Sequence, residues 1–173
     1  VGMSKVTDEA VSEAKKILKM KESKNIVLPV DFVVSEKIST RVESKIVGVN
    51  EIESGKIALD LGPKTVELFK QHLRGAKEVF WNGPLGYFEI NDFARATKEI
   101  GRFIGGLNCL RIAGGGETVT ALNKFQMGHL FDHVSLGGGA TLKFLAGEKL
   151  PGLLVLQKAN LGKKIVQLNS YQD

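Results

Sequence analysis

Apolar positions along the chain follow two different periods. Near the start, Ala10, Ala14, Ile17 and Leu18 recur at helical spacing. Thr7-Asp8-Glu9 ahead of them reads as an N-cap with an acidic first turn. Lys15, Lys16, Lys19, Lys21 and Lys24 read as the solvated face and C-terminal end of that helix. Ile26 to Leu28 and Phe32 to Val34, around Pro29, are short apolar runs of buried-strand type, and Lys45 to Val49 is another. Residues 35–44 and 50–55 are polar connectors.

From residue 56 one unit recurs four times: a short apolar strand, a glycine-bearing turn, then a helix. Ile57 to Leu61 runs into Gly62-Pro63, a proline suited to a helix first turn, with a helix over Lys64 to Arg74. Val79-Phe80-Trp81 ends at Asn82-Gly83-Pro84-Leu85-Gly86, with a helix from about Asp92 to Ile104. Leu110 to Ala113 leads into Gly114-Gly115-Gly116-Glu117 and a helix from Thr118. Val134 to Leu136 leads into Gly137-Gly138-Gly139 and a helix from Ala140 to Leu145. Such alternation predicts an α/β fold: three layers, αβα, around a mainly parallel, doubly wound, Rossmann-like sheet.

Composition sharpens this picture at one point. Twenty glycines stand where the usual frequency of about 7% gives about 12. The surplus gathers in the two triplets and around Gly83 and Gly86. In a parallel sheet, all strand-to-helix turns open on one edge, and each presents the unpaired N–H groups of a helix start. Glycine turns let phosphate oxygens approach those groups, so several on one edge predict an anion-rich ligand such as a nucleotide.

Other chemistry is disfavoured. The 24 Lys and Arg against 19 Asp and Glu suit an anionic partner without choosing one. A lone cysteine, Cys109, leaves no internal disulfide and reads as a small buried hydrophobe. No stretch approaches the ~18 apolar residues of a membrane helix, and no signal peptide opens the chain, so a cytoplasmic protein is expected. A start on Val1 is the start expected of a fragment, a processed chain or one seen in part. Neither G-x-x-x-x-G-K-[ST] nor G-x-G-x-x-G occurs, which counts against a P-loop enzyme and a dinucleotide oxidoreductase. There is no G-x-S-x-G elbow either. His129 and His133 lack the Glu of a zinc helix, since Leu130 stands there, and no third ligand is evident. Phe80 and Trp81 read as core rather than as a stacking platform for nucleic acid.

The segment Trp81-Asn82-Gly83-Pro84-Leu85-Gly86-Tyr87-Phe88-Glu89 resembles phosphoglycerate kinase. The order of motifs is also similar to that family's. Leu28-Pro29-Val30-Asp31 and Asp60-Leu61-Gly62-Pro63 precede that segment. Gly114-Gly115-Gly116-Glu117-Thr118, Ser135-Leu136-Gly137-Gly138-Gly139-Ala140 and Leu150-Pro151-Gly152 follow it. The resemblance covers about residues 1–156 and implies an incomplete C-terminal, nucleotide-binding lobe, with 157–173 an unassigned extension in which Ile165 to Leu168 suggests a strand. It implies phosphoryl transfer between 1,3-bisphosphoglycerate and ADP, giving 3-phosphoglycerate and ATP, with Mg2+, in the cytoplasm. The phosphoglycerate would bind a second, N-terminal lobe, and the parent would be a monomer without nucleic-acid or membrane partners.

By the same resemblance, Asn82 would contact the phosphate chain. Leu61, Gly62, Pro84, Leu85 and Tyr87 would wall the adenine site, and Glu89 would bind the ribose hydroxyls. Gly114, Gly115 and Gly116 would aim N–H groups at the phosphates, with Thr118 adding a hydroxyl. Glu117 would hold magnesium. Gly137, Gly138 and Gly139 would stabilise the transferring group.

Departures from the family pattern are Glu117 for Asp, Leu136 for Thr and Ala96 for Gly, together with the missing Gly-Gly-Ala-Lys turn and its lysines. One extra methylene shifts a carboxylate by about 1.5 Å, and a misplacement on the order of 1 Å can cost about a hundredfold in rate. These departures motivate an alternative: a non-catalytic, nucleotide-binding or interaction relic of the fold.

Overall fold

Thr7 caps the first helix as its side chain allows, accepting the Ala10 N–H at 3.2 Å, and α1 runs Asp8–Lys19 with no residue buried. The computed structural model describes residues 1–157 and 159. After a short 3₁₀ turn at Lys21–Asn25 come three strands: β1 (Asp31–Ser35), β2 (Ser44–Gly48) and β3 (Ile57–Leu61). Then follow α2 (Pro63–Leu73), β4 (Glu78–Asn82) and α3 (Arg95–Gly105). The chain continues through β5 (Leu110–Gly114), α4 (Gly116–Lys124), β6 (His133–Ser135) and α5 (Gly138–Leu145), and residues 151–157 are helical. The class is α/β, as expected. The strand suggested at Ile165 to Leu168 and nearly all of the 157–173 extension lie outside the described residues.

The sheet differs from the expectation of four equivalent strand–helix units. Among the described residues, β4, β5 and β6 alone form the parallel sheet, flanked by helices. The first unit's strand, β3, pairs antiparallel with β1, which pairs antiparallel with β2. The physical reason lies in the connections. Residues 36–43 return the chain within hairpin reach, so β1 and β2 pair locally without a crossover helix. Two apolar runs also differ. Ile26 to Leu28 forms no strand and is exposed at Ile26 and Leu28, and β2 is largely exposed, Ile46 included.

The main core lies between the parallel sheet and its helices. Val79 and Trp81 of β4 and Ala113 of β5 meet Ile100 and Ile104 of α3, Leu122 of α4, and Met127 and Phe131. Trp81 is therefore core, as predicted. Cys109 is half-buried beside the same cluster. Arg111 forks onto Asp132 at 2.7 and 3.0 Å, tying β5 to the approach of β6. Hydrogen bonding from Arg111 pulls the Asp132 carboxyl down to about 2.

Two buried aspartates join the halves. Asp31, at the start of β1, caps α2 from outside. It accepts the N–H groups of Lys64 and Thr65 at 3.0 and 2.7 Å and the Thr65 hydroxyl at 2.6 Å. Burial pushes its carboxyl up, but the bonds from Thr65 and Lys64 together outweigh that and hold it below the usual range. Asp60 of β3 is 2% exposed and accepts the N–H groups of Leu61 and Ala96 at 2.9 and 3.1 Å, the latter at the start of α3. Here burial dominates and raises the carboxyl from 3.8 to about 6 despite those bonds.

Replacing Asp31 by Ala is expected to cost about 2 kcal/mol, the loss of a strong helix cap, in urea unfolding at neutral pH. A cost below about 0.5 kcal/mol would show the cap to be idle. Asp60 supplies a pH signature of opposite sense to an ion-paired acid. Its folded carboxyl binds a proton more readily than its unfolded one, so its contribution is complete below the unfolded value and lost as pH rises through about 6. Wild type is therefore expected to gain about 2 kcal/mol relative to Asp60→Asn between about pH 7.5 and about pH 4.5, measured by unfolding at both pH values. Parallel pH profiles would contradict this.

Candidate functional site

The parallel register decides where the glycine turns lie. Asn82 of β4 stands opposite Gly114 of β5, and Gly114 opposite Ser135 of β6. The three strands thus end level, and their following loops open at one edge of the sheet. An ideal Cβ on Gly138 would stand 3.9 Å from the Gly115 Cα, so the two triplets face each other across a narrow gap. Each triplet leads into a helix, α4 from Gly116 and α5 from Gly138. Amides at a helix start have no partner within the helix, which makes this edge electropositive.

Side chains lock the loops together. The Asn82 amide donates to the Gly114 carbonyl at 2.8 Å, and the Gly83 N–H donates to the Thr118 hydroxyl at 2.6 Å. Gly115 has φ +98°, and a Cβ there would lie 2.8 Å from the Asn82 amide nitrogen. Both the backbone twist and the close approach therefore call for glycine at 115. The Ser135 hydroxyl lies 2.7 Å from that of Thr141 and accepts the Gly137 N–H at 3.2 Å.

Beside this edge is a cleft of about 420 Å³. One wall is β3 from Ala58 to Leu61 with Phe32 of β1 beside it, and the other is the loop from Pro84 to Glu89. Glu117, on the first turn of α4, closes the side toward the glycines. The loop is held at several points. The Tyr87 N–H donates to the Leu59 carbonyl at 2.7 Å, and the Leu85 N–H to the Thr97 hydroxyl at 3.1 Å. Gly86 packs on Asp60, where a Cβ would collide with the carboxylate.

The structure brings Leu61, Pro84, Leu85, Tyr87, Glu89 and Glu117 into this one cleft, and Asn82 with Gly114–Gly116 and Gly137–Gly139 to its adjoining edge. Three expected residues stand differently. Thr118 is fully buried, and its hydroxyl accepts the Gly83 N–H, so it clips two loops and is not exposed to the cleft. Gly62 is buried against the Asp31 carboxylate and does not line the cleft. The Gly137 N–H is occupied by Ser135. Leu136 projects 83% exposed beside the second triplet. His129 and His133 are exposed, and among the described residues no three His, Cys, Asp or Glu gather as a metal site.

Sequence reasoning missed Asp60, Thr97 and Lys124. Asp60 left a signal, an acid inside the apolar run Ile57 to Leu61. Thr97 and Lys124 left none, because their partners lie 12 to 36 residues away and only the fold brings them together.

Comparison with known proteins bears on the family and the fold. The family model for phosphoglycerate kinase matches residues 1–148. A phosphoglycerate kinase of Rubrobacter xylanophilus is 41% identical over 156 residues, covering 90% of this chain and 40% of that protein. One of Thermosipho africanus is 45% identical over 159 residues, covering 88% and 40%. The solved phosphoglycerate kinase of Coxiella burnetii superposes with a TM-score of 0.84 at 31% identity, over 90% of this chain and 41% of that one. The chain spans about 40% of the length of the curated relatives it matches. With the model match covering most of its residues, the chain belongs to the phosphoglycerate kinase family.

Proposed function

We infer that this chain is the magnesium-nucleotide half of an enzyme that transfers a phosphoryl group between 1,3-bisphosphoglycerate and ADP, a step of glycolysis. The observation that carries the reading is the apposition of two glycine-led helix starts, Gly115–Gly116 and Gly138–Gly139, beside a cleft lined by Leu61, Pro84, Leu85 and Tyr87 together with the carboxylates of Glu89 and Glu117. Leu61, Pro84, Leu85 and Tyr87 would hold the adenine between the cleft walls, with Gly62 setting the course of the chain behind Leu61. The Glu89 carboxylate would accept from the ribose hydroxyls. The triplet amides and Asn82 would receive the phosphates, with Gly114 and Gly137 fixing the loops through Asn82 and Ser135. Thr118 would act through Gly83.

Phosphoryl transfer asks a protein chiefly for position and charge stabilisation, which preorganised amides supply. Glu117 is exposed on the first turn of α4 and lines the cleft. One carboxylate fits Mg2+, which typically takes one or two protein carboxylates and completes its shell with phosphate oxygens and water. When bound, the ion would neutralise phosphate charge. Residues 1–156 would act as one partial lobe, with the phosphoglycerate received by a portion outside this chain.

Leu136 favours a second reading, nucleotide binding without transfer, because an exposed leucine stands where the resemblance implies a hydroxyl. The two readings part on turnover once a phosphoglycerate-binding lobe is supplied. For the chain alone, calorimetry with MgADP and MgATP is expected to show weak binding, and a coupled kinase assay to read zero. No binding heat at millimolar nucleotide in a folded sample would refute the nucleotide site. Turnover by the chain alone would refute the division between lobes.

A further inference from the structure

Two backbone carbonyls of residues that line the cleft, Phe88 and Glu89, face the same cation. The Lys124 ammonium, on the last turn of α4, donates to the Phe88 carbonyl at 2.9 Å and to the Glu89 carbonyl at 2.7 Å. A helix C-terminus favours a cation there. The ammonium also stands 5.5 Å from the centre of the Phe125 ring. Among the described residues, no backbone N–H donates to either carbonyl.

Those oxygens belong to the two peptide units on either side of the Glu89 Cα. Each unit is planar, so holding both oxygens restricts φ and ψ at Glu89 together. With the two torsions set, the Cα–Cβ direction is set as well. Glu89 is exposed and lines the cleft, so a fixed Cα–Cβ direction sets which part of the cleft its carboxylate can reach.

We propose that Lys124 is a positioning residue for nucleotide binding: by gripping the carbonyls on both sides of Glu89, it aims that carboxylate at the ribose hydroxyls. This rests on the ribose-binding reading of Glu89. Lys124 touches no substrate; it acts through Glu89. Removing its grip therefore weakens recognition of the ribose hydroxyls while leaving adenine and phosphate contacts in place.

The test compares MgADP with its 2′,3′-dideoxy analogue by calorimetry on the wild-type chain and on Lys124→Met, Lys124→Gln and Lys124→Arg, each checked by circular dichroism. Wild type is expected to prefer ADP by about tenfold, the worth of one charge-assisted hydrogen bond. Lys124→Met and Lys124→Gln are expected to reduce the preference to about twofold, with dideoxy affinity changed by less than about threefold. Lys124→Arg, which keeps charge and donors, is expected to retain most of it. A wild-type preference unchanged in Lys124→Met and Lys124→Gln overturns the proposal while leaving the nucleotide site standing. An equal loss for both nucleotides also overturns it, because that is the mark of a merely structural lysine. Absence of wild-type binding overturns the site and this proposal together.

Discussion

The level ending of three parallel strands is the constraint on which the site depends. Parallel pairing sets Asn82, Gly114 and Ser135 side by side, and every other feature of the edge follows from that alignment. A slip of one residue would carry one glycine turn about 3.3 Å along its strand and turn its side chains to the opposite face. The core enforces the register from below. Trp81 and Ala113, one residue before the aligned ends, pack into the same cluster as Ile100, Leu122 and Phe131. Arg111 and Asp132 fasten the far end of the β5–β6 pair.

The backbone at this edge is held by side chains that do not themselves face the cleft. Thr118 holds Gly83, Asn82 holds the Gly114 carbonyl, Ser135 holds Gly137, and Thr97 holds Leu85. Three of these bonds hold a loop residue, Gly83, Leu85 or Gly137, and the fourth ties the ends of β4 and β5. Amides held in this way need no reorganisation when charge arrives, and on the proposed function that is what they would supply to a phosphoryl group. Glycine is required there for a related reason: at Gly115 the positive φ and the approach of Asn82 leave no place for a side chain.

The strand–helix alternation after residue 56 was legible because period and punctuation agree: apolar runs, glycine turns and amphipathic helices recur in order. The separate antiparallel sheet was not, because Ile57 to Leu61 has the same local pattern as the parallel strands and only its partner differs. Pairing is a long-range choice that a short strand does not announce. The cleft was legible where its residues are contiguous, from Pro84 to Glu89. Its supports were not, since Asp60, Thr97 and Lys124 act across the fold on backbone atoms that carry no sequence signature. Thr118 shows a role the sequence does not announce: its buried hydroxyl accepts the Gly83 N–H and ties two loops together.

The claim that both glycine triplets receive one polyphosphate is tested most directly by amide-resolved NMR during titration with MgADP. The account predicts that the N–H signals of Gly115, Gly116, Gly138 and Gly139 shift together along one saturation curve. Shifts confined to one triplet, or two curves with separate midpoints, would contradict it.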